Sequence, residues 1–115
     1  MTLGVTIDQL RAARSHQRAI VAAVAYDIVG LEAIVAAGEQ TGLPVIAQVG
    51  SSAFKHTDGD ALVAAALSLA TNSSVPIGLH LDHAGDLDLI SRCLDAGYTS
   101  VMIDGSRLGF SDNVE

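Results

Sequence analysis

Asp82 and His83 stand side by side at the end of an apolar run, Pro76-Ile-Gly-Leu-His-Leu-Asp-His83. A carboxylate can take up and return a proton, and a neutral imidazole can do the same or ligate a metal ion. Leu79 and Leu81 alternate with His80 and Asp82, so the period of a strand puts the two polar side chains on one face. His83 then falls at or just past the strand end. Titratable groups at the carboxyl end of a buried strand are where α/β enzymes keep their chemistry. Alternation turns His80 inward, which suits a hydrogen-bonded core histidine better than a metal ligand.

The elements that must hold these residues can be read from the chain in order. Thr6-Ile-Asp-Gln9 has the form of a capping box, predicting a helix from Thr6 to about His16. Arg11, Arg14 and Arg18 would share one face if the helix continues that far, and a solvated face near its C-terminus is the plainer reading. Ala19 to Ala25 reads as a buried strand ended by Tyr26-Asp27, and Val29 to Thr41 as a helix stopped by Gly42. Pro44 to Val49 is the second strand, closed by Gly50-Ser51-Ser52. A polar loop with Lys55, His56 and Asp58 leads to a helix over 60–70. Lys55, His56 and His16 are expected to be solvated surface residues. Val75 to Leu81 is the third strand. Asp86 caps a helix to Ala96, Gly97 stops it, and Thr99 to Ile103 is the fourth strand, ended by Asp104-Gly105-Ser106. The tail after Arg107 is polar and stops where a further helix would begin.

Apolar runs separated by helices argue for an α/β fold with a parallel sheet and right-handed crossovers. In such a sheet the strand ends share one edge. Tyr26-Asp27, Gly50-Ser51-Ser52, Asp82-His83 and Asp104-Gly105-Ser106 would therefore converge there, which is a pocket-like arrangement. No linker or low-complexity segment interrupts residues 1–115, so a single unit is expected.

Composition narrows the function. The chain has 115 residues, half of them hydrophobic and only 3% aromatic, with a formal net charge of −7. Such a charge repels phosphate backbones, and the aromatic set for base stacking is missing, so nucleic acid is not an expected partner. Only six Lys and Arg are present, so a phosphorylated small molecule would call for a local anion site. The one cysteine, Cys93, allows no internal disulfide and fits a reducing compartment; its helical setting makes it a buried small hydrophobe. No apolar run approaches the roughly 20 residues of a membrane span, and no signal peptide is visible. A soluble, cytoplasmic protein without a membrane partner is expected.

Leu79-His-Leu-Asp-His-Ala84, followed by Gly97-Tyr-Thr-Ser-Val-Met-Ile-Asp-Gly-Ser106, resembles the N-terminal half of class II aldolases. These are zinc-dependent enzymes that cleave fructose- or tagatose-bisphosphate type substrates. Leu31-Glu32, Pro44-Val-Ile, Phe54-Lys-His56, Leu108 and Phe110 to Val114 fit the same pattern. The resemblance implies a (β/α)8 barrel with its active site at the C-terminal strand ends. It makes Asp82 the acid/base, His83 a Zn²⁺ ligand, and Asp104 part of a secondary metal position or its outer shell. Asp27, Ser51 and Ser106 are the implied substrate-binding residues.

Asp27 stands where the family commonly has Asn, and an ionised carboxylate cannot donate a hydrogen bond as an amide can. Gly50, Arg107 and Gly109 replace the more frequent Ser, His and Pro. A full barrel takes roughly 250 residues, and catalytic zinc takes about three protein ligands. The family's other two histidine ligands and its glycine-rich phosphate loops fall beyond Glu115. The chain by itself is thus expected to be half of a TIM barrel, incomplete as a catalyst. It would act as part of a complete aldolase, or as a half-barrel pairing with a second copy in a homo-oligomer. A third reading is a small doubly wound domain that binds an anionic metabolite.

Overall fold

A computed structural model describes residues 3–55 and 58–115. Helix α1 (Thr6–Ser15) precedes strand β1 (Val21–Val24), helix α2 (Ile28–Thr41) and strand β2 (Val45–Gln48). After a 3₁₀ turn, Ala53–Lys55, come helix α3 (Gly59–Asn72), strand β3 (Ile77–Ala84), helix α4 (Leu87–Ala96), strand β4 (Ser100–Ile103) and the short helix α5 (Phe110–Val114). The 3₁₀ turn and α5 are too short to leave a periodic signal in the sequence. His56 lies outside the described residues.

The four strands are parallel and stand in the order β1-β2-β3-β4. A doubly wound sheet reverses direction partway, which this order does not, so that reading is excluded. When every right-handed crossover advances the same way, the connecting helices fall on one face. The core reflects this. Val45 and Ala47 of β2, Val49 just past its end, and Ile77, Leu79 and Leu81 of β3 cluster with Leu31 and Val35 of α2, Leu62 and Ala66 of α3, and Ile90 and Cys93 of α4. The alternate residues Gln48, His80 and Ser100 line up in register on the opposite face.

Local chemistry sets most boundaries as expected. Asp86 Oδ1 accepts hydrogen bonds from the backbone N–H of Asp88 and Leu89, and Gly42 and Gly97 close α2 and α4 in the left-handed conformation. Cys93 is buried, as expected. The start of α1 differs. Val5 is the N-cap and makes no side-chain cap bond; Thr6 lies inside the first turn, 5% exposed, with its hydroxyl bonded to Thr99 and Ser100. The local capping pattern is overridden by tertiary packing against the sheet. Helix α1 also ends at Ser15, so Arg18 is not on it, and the stripe of three arginines on one helical face does not form.

Candidate active site

Strand β3 does not keep a simple alternation to its end. Leu81 pairs with Val101 and Ala84 with Ile103, leaving Asp82 and His83 opposite Met102 alone. This two-against-one count is a β-bulge, a device that re-aims side chains near strand ends. His83 takes a left-handed backbone, φ 49°. For a non-glycine residue that conformation costs on the order of 1–3 kcal/mol and persists only when its surroundings enforce it. They do so through the β2 loop. Ser51 N–H donates to Asp82 O at 3.2 Å, and the Ser51 hydroxyl donates to His83 O at 2.8 Å. A Cβ at Gly50 would stand 3.2 Å from Asp82 O, so glycine gives the loop its close approach to the bulge. Strand β3 therefore runs to Ala84, three residues past the expected end at Leu81.

The bulge brings His83 against Asp104 across the β3–β4 pairing. His83 Nδ1 lies 2.9 Å from Asp104 Oδ2. Hydrogen bonds from Ser106 lead in holding the Asp104 carboxyl well below the usual carboxylate range, and the His83 contact adds to them. In return the hydrogen bond to Asp104, then the charge of Asp82, raises the His83 pKa. With Nδ1 committed to a carboxylate, the ring is oriented and Nε2 is the nitrogen left for a ligand. Asp82 sits between two imidazoles: Oδ2 is 3.9 Å from His83 Nε2 and Oδ1 is 3.8 Å from His80 Nε2.

These groups line a cleft of about 640 Å³ at the C-terminal strand edge, with Val24, Tyr26, Gly50, Ser51, Ser52, Lys55, Gly85 and Arg107. The structure thus brings together Asp82, His83, Asp104 and Ser51. Ser106 adjoins them by donating its backbone N–H to Asp104 Oδ1. Asp27 does not line the cleft: it is the N-cap of α2, its Oδ1 accepting from Gly30 N–H at 2.8 Å. Arg107, noted in the sequence only for standing where the family more often has His, is also a cleft residue; its place directly after the β4-end cluster was the available signal. Lys55 is exposed, as expected of a loop residue, yet it also lines the cleft. Two cationic side chains beside three titratable groups suit an anionic ligand in an otherwise acidic chain.

His83 Nε2 is chemically suited to Zn²⁺. Among the described residues, however, no group of three or more His, Cys, Asp or Glu is placed to hold a metal. Asp104 is taken up by His83, which is an outer-shell arrangement. One imidazole nitrogen open to a ligand, with a carboxylate orienting the ring, does not by itself make a catalytic zinc site.

The family model for class II fructose-bisphosphate aldolase matches residues 5–115. A fructose-bisphosphate aldolase of Treponema pallidum is 43% identical over 89 residues, covering 73% of this chain and 27% of that protein. One of Thermus caldophilus is 34% identical over 108 residues, covering 94% and 35%. The solved structure of a Coccidioides immitis protein assigned as a fructose-1,6-biphosphate aldolase superposes with a TM-score of 0.85 at 34% identity, over 96% of this chain and 39% of that one. The YdjI aldolase of Escherichia coli K12 shares the fold, with a TM-score of 0.83 at 24% identity. The chain spans about a third of the length of the curated relatives it matches, 27% and 35% for the two named. The four βα units are part of a TIM-barrel architecture, and the chain belongs to the class II fructose-bisphosphate aldolase family.

Proposed function

We propose that this chain carries the acid/base and one metal-ligand element of a class II aldolase that reversibly cleaves a ketose bisphosphate. The observation that supports it most is the bulged end of β3, where Asp82 and a carboxylate-oriented His83 face a cleft bordered by Lys55 and Arg107. Asp82 exchanges the proton of the substrate hydroxyl at the bond being cleaved or formed, a role open to a carboxyl group beside a metal but not bound to it. His83 offers Nε2 to Zn²⁺, and Asp104 fixes the ring's direction. When bound, the metal would polarise the carbonyl and stabilise charge on its oxygen. Lys55 and Arg107 attract the anionic substrate, and Ser51 holds the bulge that aims both catalytic groups. Asp27, occupied as the cap of α2 and outside the cleft lining, is given no part in substrate binding.

Closure of the barrel is part of this proposal. Among the described residues both outer strands have a free edge, and apolar side chains stand exposed on them: Val21 at 66%, Val24 at 46%, Met102 at 38% and Ile103 at 67%. Unpaired strand edges demand covering, and we propose that further βα units supply it, with the missing zinc ligands. A homo-oligomeric pairing of two half-barrels is the second form, since a twofold axis along the strands would join β4 of each copy to β1 of the other in parallel. Without either partner the chain binds poorly and turns over no substrate. Among the described residues no helix is long and apolar enough to cross a membrane, and we place the enzyme in the cytoplasm.

A coupled cleavage assay with fructose- and tagatose-bisphosphate, before and after EDTA, tests the reading on the completed barrel. Metal-dependent cleavage lost in His83→Ala is the expected result. Cleavage of neither sugar, or cleavage indifferent to EDTA, would sink it. Native mass spectrometry of the chain separates the two forms of closure: a monomer rules out the paired half-barrel.

A further inference from the structure

His80 has no assigned role, yet it sits at one end of a chain of hydrogen bonds whose direction can be worked out. The other end is the carbonyl of Leu79, which can only accept. Thr99 N–H donates to it at 2.9 Å and Thr99 Oγ1 is its second donor at 3.2 Å, which commits that hydroxyl's one proton. Thr6 Oγ1, 2.7 Å from Thr99 Oγ1, must then be the donor in their contact. Ser100 Oγ in turn donates to Thr6 Oγ1 at 3.1 Å. Ser100 has no proton left for His80 Nδ1, 2.8 Å away, so the imidazole must be the donor there. Gln9 is buried beside Thr6 over Gly78, but among the described residues its amide makes no hydrogen bond and does not feed the chain from the side.

We propose that this one-way chain of hydroxyls locks His80 in the Nδ1–H tautomer, making it a positioning residue that turns a bare Nε2 toward Asp82. The inference rests on Asp82 being the proton-transfer group of the proposed aldolase, but the tautomer can be read without turnover. His80 Nε2 is 3.8 Å from Asp82 Oδ1, beyond a direct hydrogen bond. The imidazole therefore gives Asp82 no competing proton, and offers an acceptor when the carboxyl is protonated. Burial lowers the His80 pKa, which agrees with a neutral ring. The chain also ties α1 to the functional strand, because Thr6 is its middle link. That gives a reason for a hydroxyl to be buried there instead of capping the helix.

Long-range ¹H–¹⁵N correlation of the labelled protein at neutral pH reads the tautomer directly, with His80 assigned through His80→Gln. The expected pattern has Nδ1 in the protonated range and Nε2 in the unprotonated range. Thr6→Val leaves the Ser100 proton free to turn to His80, so the tautomer should invert or become mixed, while Thr6→Ser keeps the wild-type pattern. Ser100→Ala breaks the chain without touching α1, and should likewise abolish the single tautomer. An Nε2–H tautomer in the wild type would overturn the proposal. So would an unchanged tautomer in both Thr6→Val and Ser100→Ala. None of these outcomes depends on whether the bisphosphate is the substrate.

Discussion

The two ends of the sheet differ in a way that cavity size alone would misread. At the N-terminal edge, α1, β1 and α2 border a groove of about 860 Å³, larger than the 640 Å³ cleft at the C-terminal edge. The groove's walls are mainly Val5, Ala12, Ala13, Ile20, Leu43 and Pro44, with Asp8, His16 and Arg18 among the few charged or titratable members. The smaller cleft holds Asp82, His83, Asp104, Lys55 and Arg107. Parallel strands explain the division: their C-terminal ends feed the loops that carry chemistry, while the opposite end serves stability. Volume finds apolar surface awaiting cover; converging titratable groups find function.

The comparison can be broken from either side. In the completed barrel, Asp82→Asn should lower cleavage by about 10²–10⁴-fold, the range of a general acid/base, with the denaturation midpoint unchanged; a matching loss of stability would make Asp82 structural. Leu79→Ala should do the reverse. That side chain is fully buried, and its truncation should cost about 2–5 kcal/mol in urea unfolding. Asp86→Ala removes a helix cap away from the cleft and should cost about 1 kcal/mol without altering the chemistry.

The His83–Asp104 pair gives the cleft a pH signature. His83 is raised above 6.5, so its contribution to stability is complete below that value and fades as pH rises through the folded pKa. Asp104 is lowered below 3.8, so its contribution is complete above that value and fades as pH falls through the folded pKa. The pair should stabilise the fold most between these two values. Asp104→Asn should bring the His83 titration down toward its ordinary value by NMR, and an unmoved midpoint would refute the pairing. Smallest of all, Ala12→Leu in the opposite groove should change stability by less than about 0.5 kcal/mol and leave His83 unaffected.

Much of the fold was legible because strands and helices here carry strong periodic signals and ordinary stop residues. The run from Val45 to Val49 and the Asp86–Gly97 helix are examples. Two features near the site were not. The alternation of Leu79, His80, Leu81 and Asp82 predicts an end to the strand, whereas the bulge depends on one residue fewer in β4 than in β3. The His83–Asp104 contact likewise joins residues 21 apart in sequence, and only strand register brings them together. Thr6 shows the converse, a local pattern that spelled a cap while the sheet claimed its hydroxyl. Asp27 read as a strand-end contact, and in the structure its Oδ1 accepts from Gly30 N–H as the cap of α2.

The most direct test of the central claim is a ¹H–¹⁵N titration of the completed barrel, labelled in these 115 residues, with fructose 1,6-bisphosphate. The account predicts shifts at Gly50, Ser51, Gly85 and residues 104–107, with Ala12, Gly38 and Val45 still. Shifts confined to α1 and the N-terminal groove, with the C-terminal edge unmoved, would contradict it.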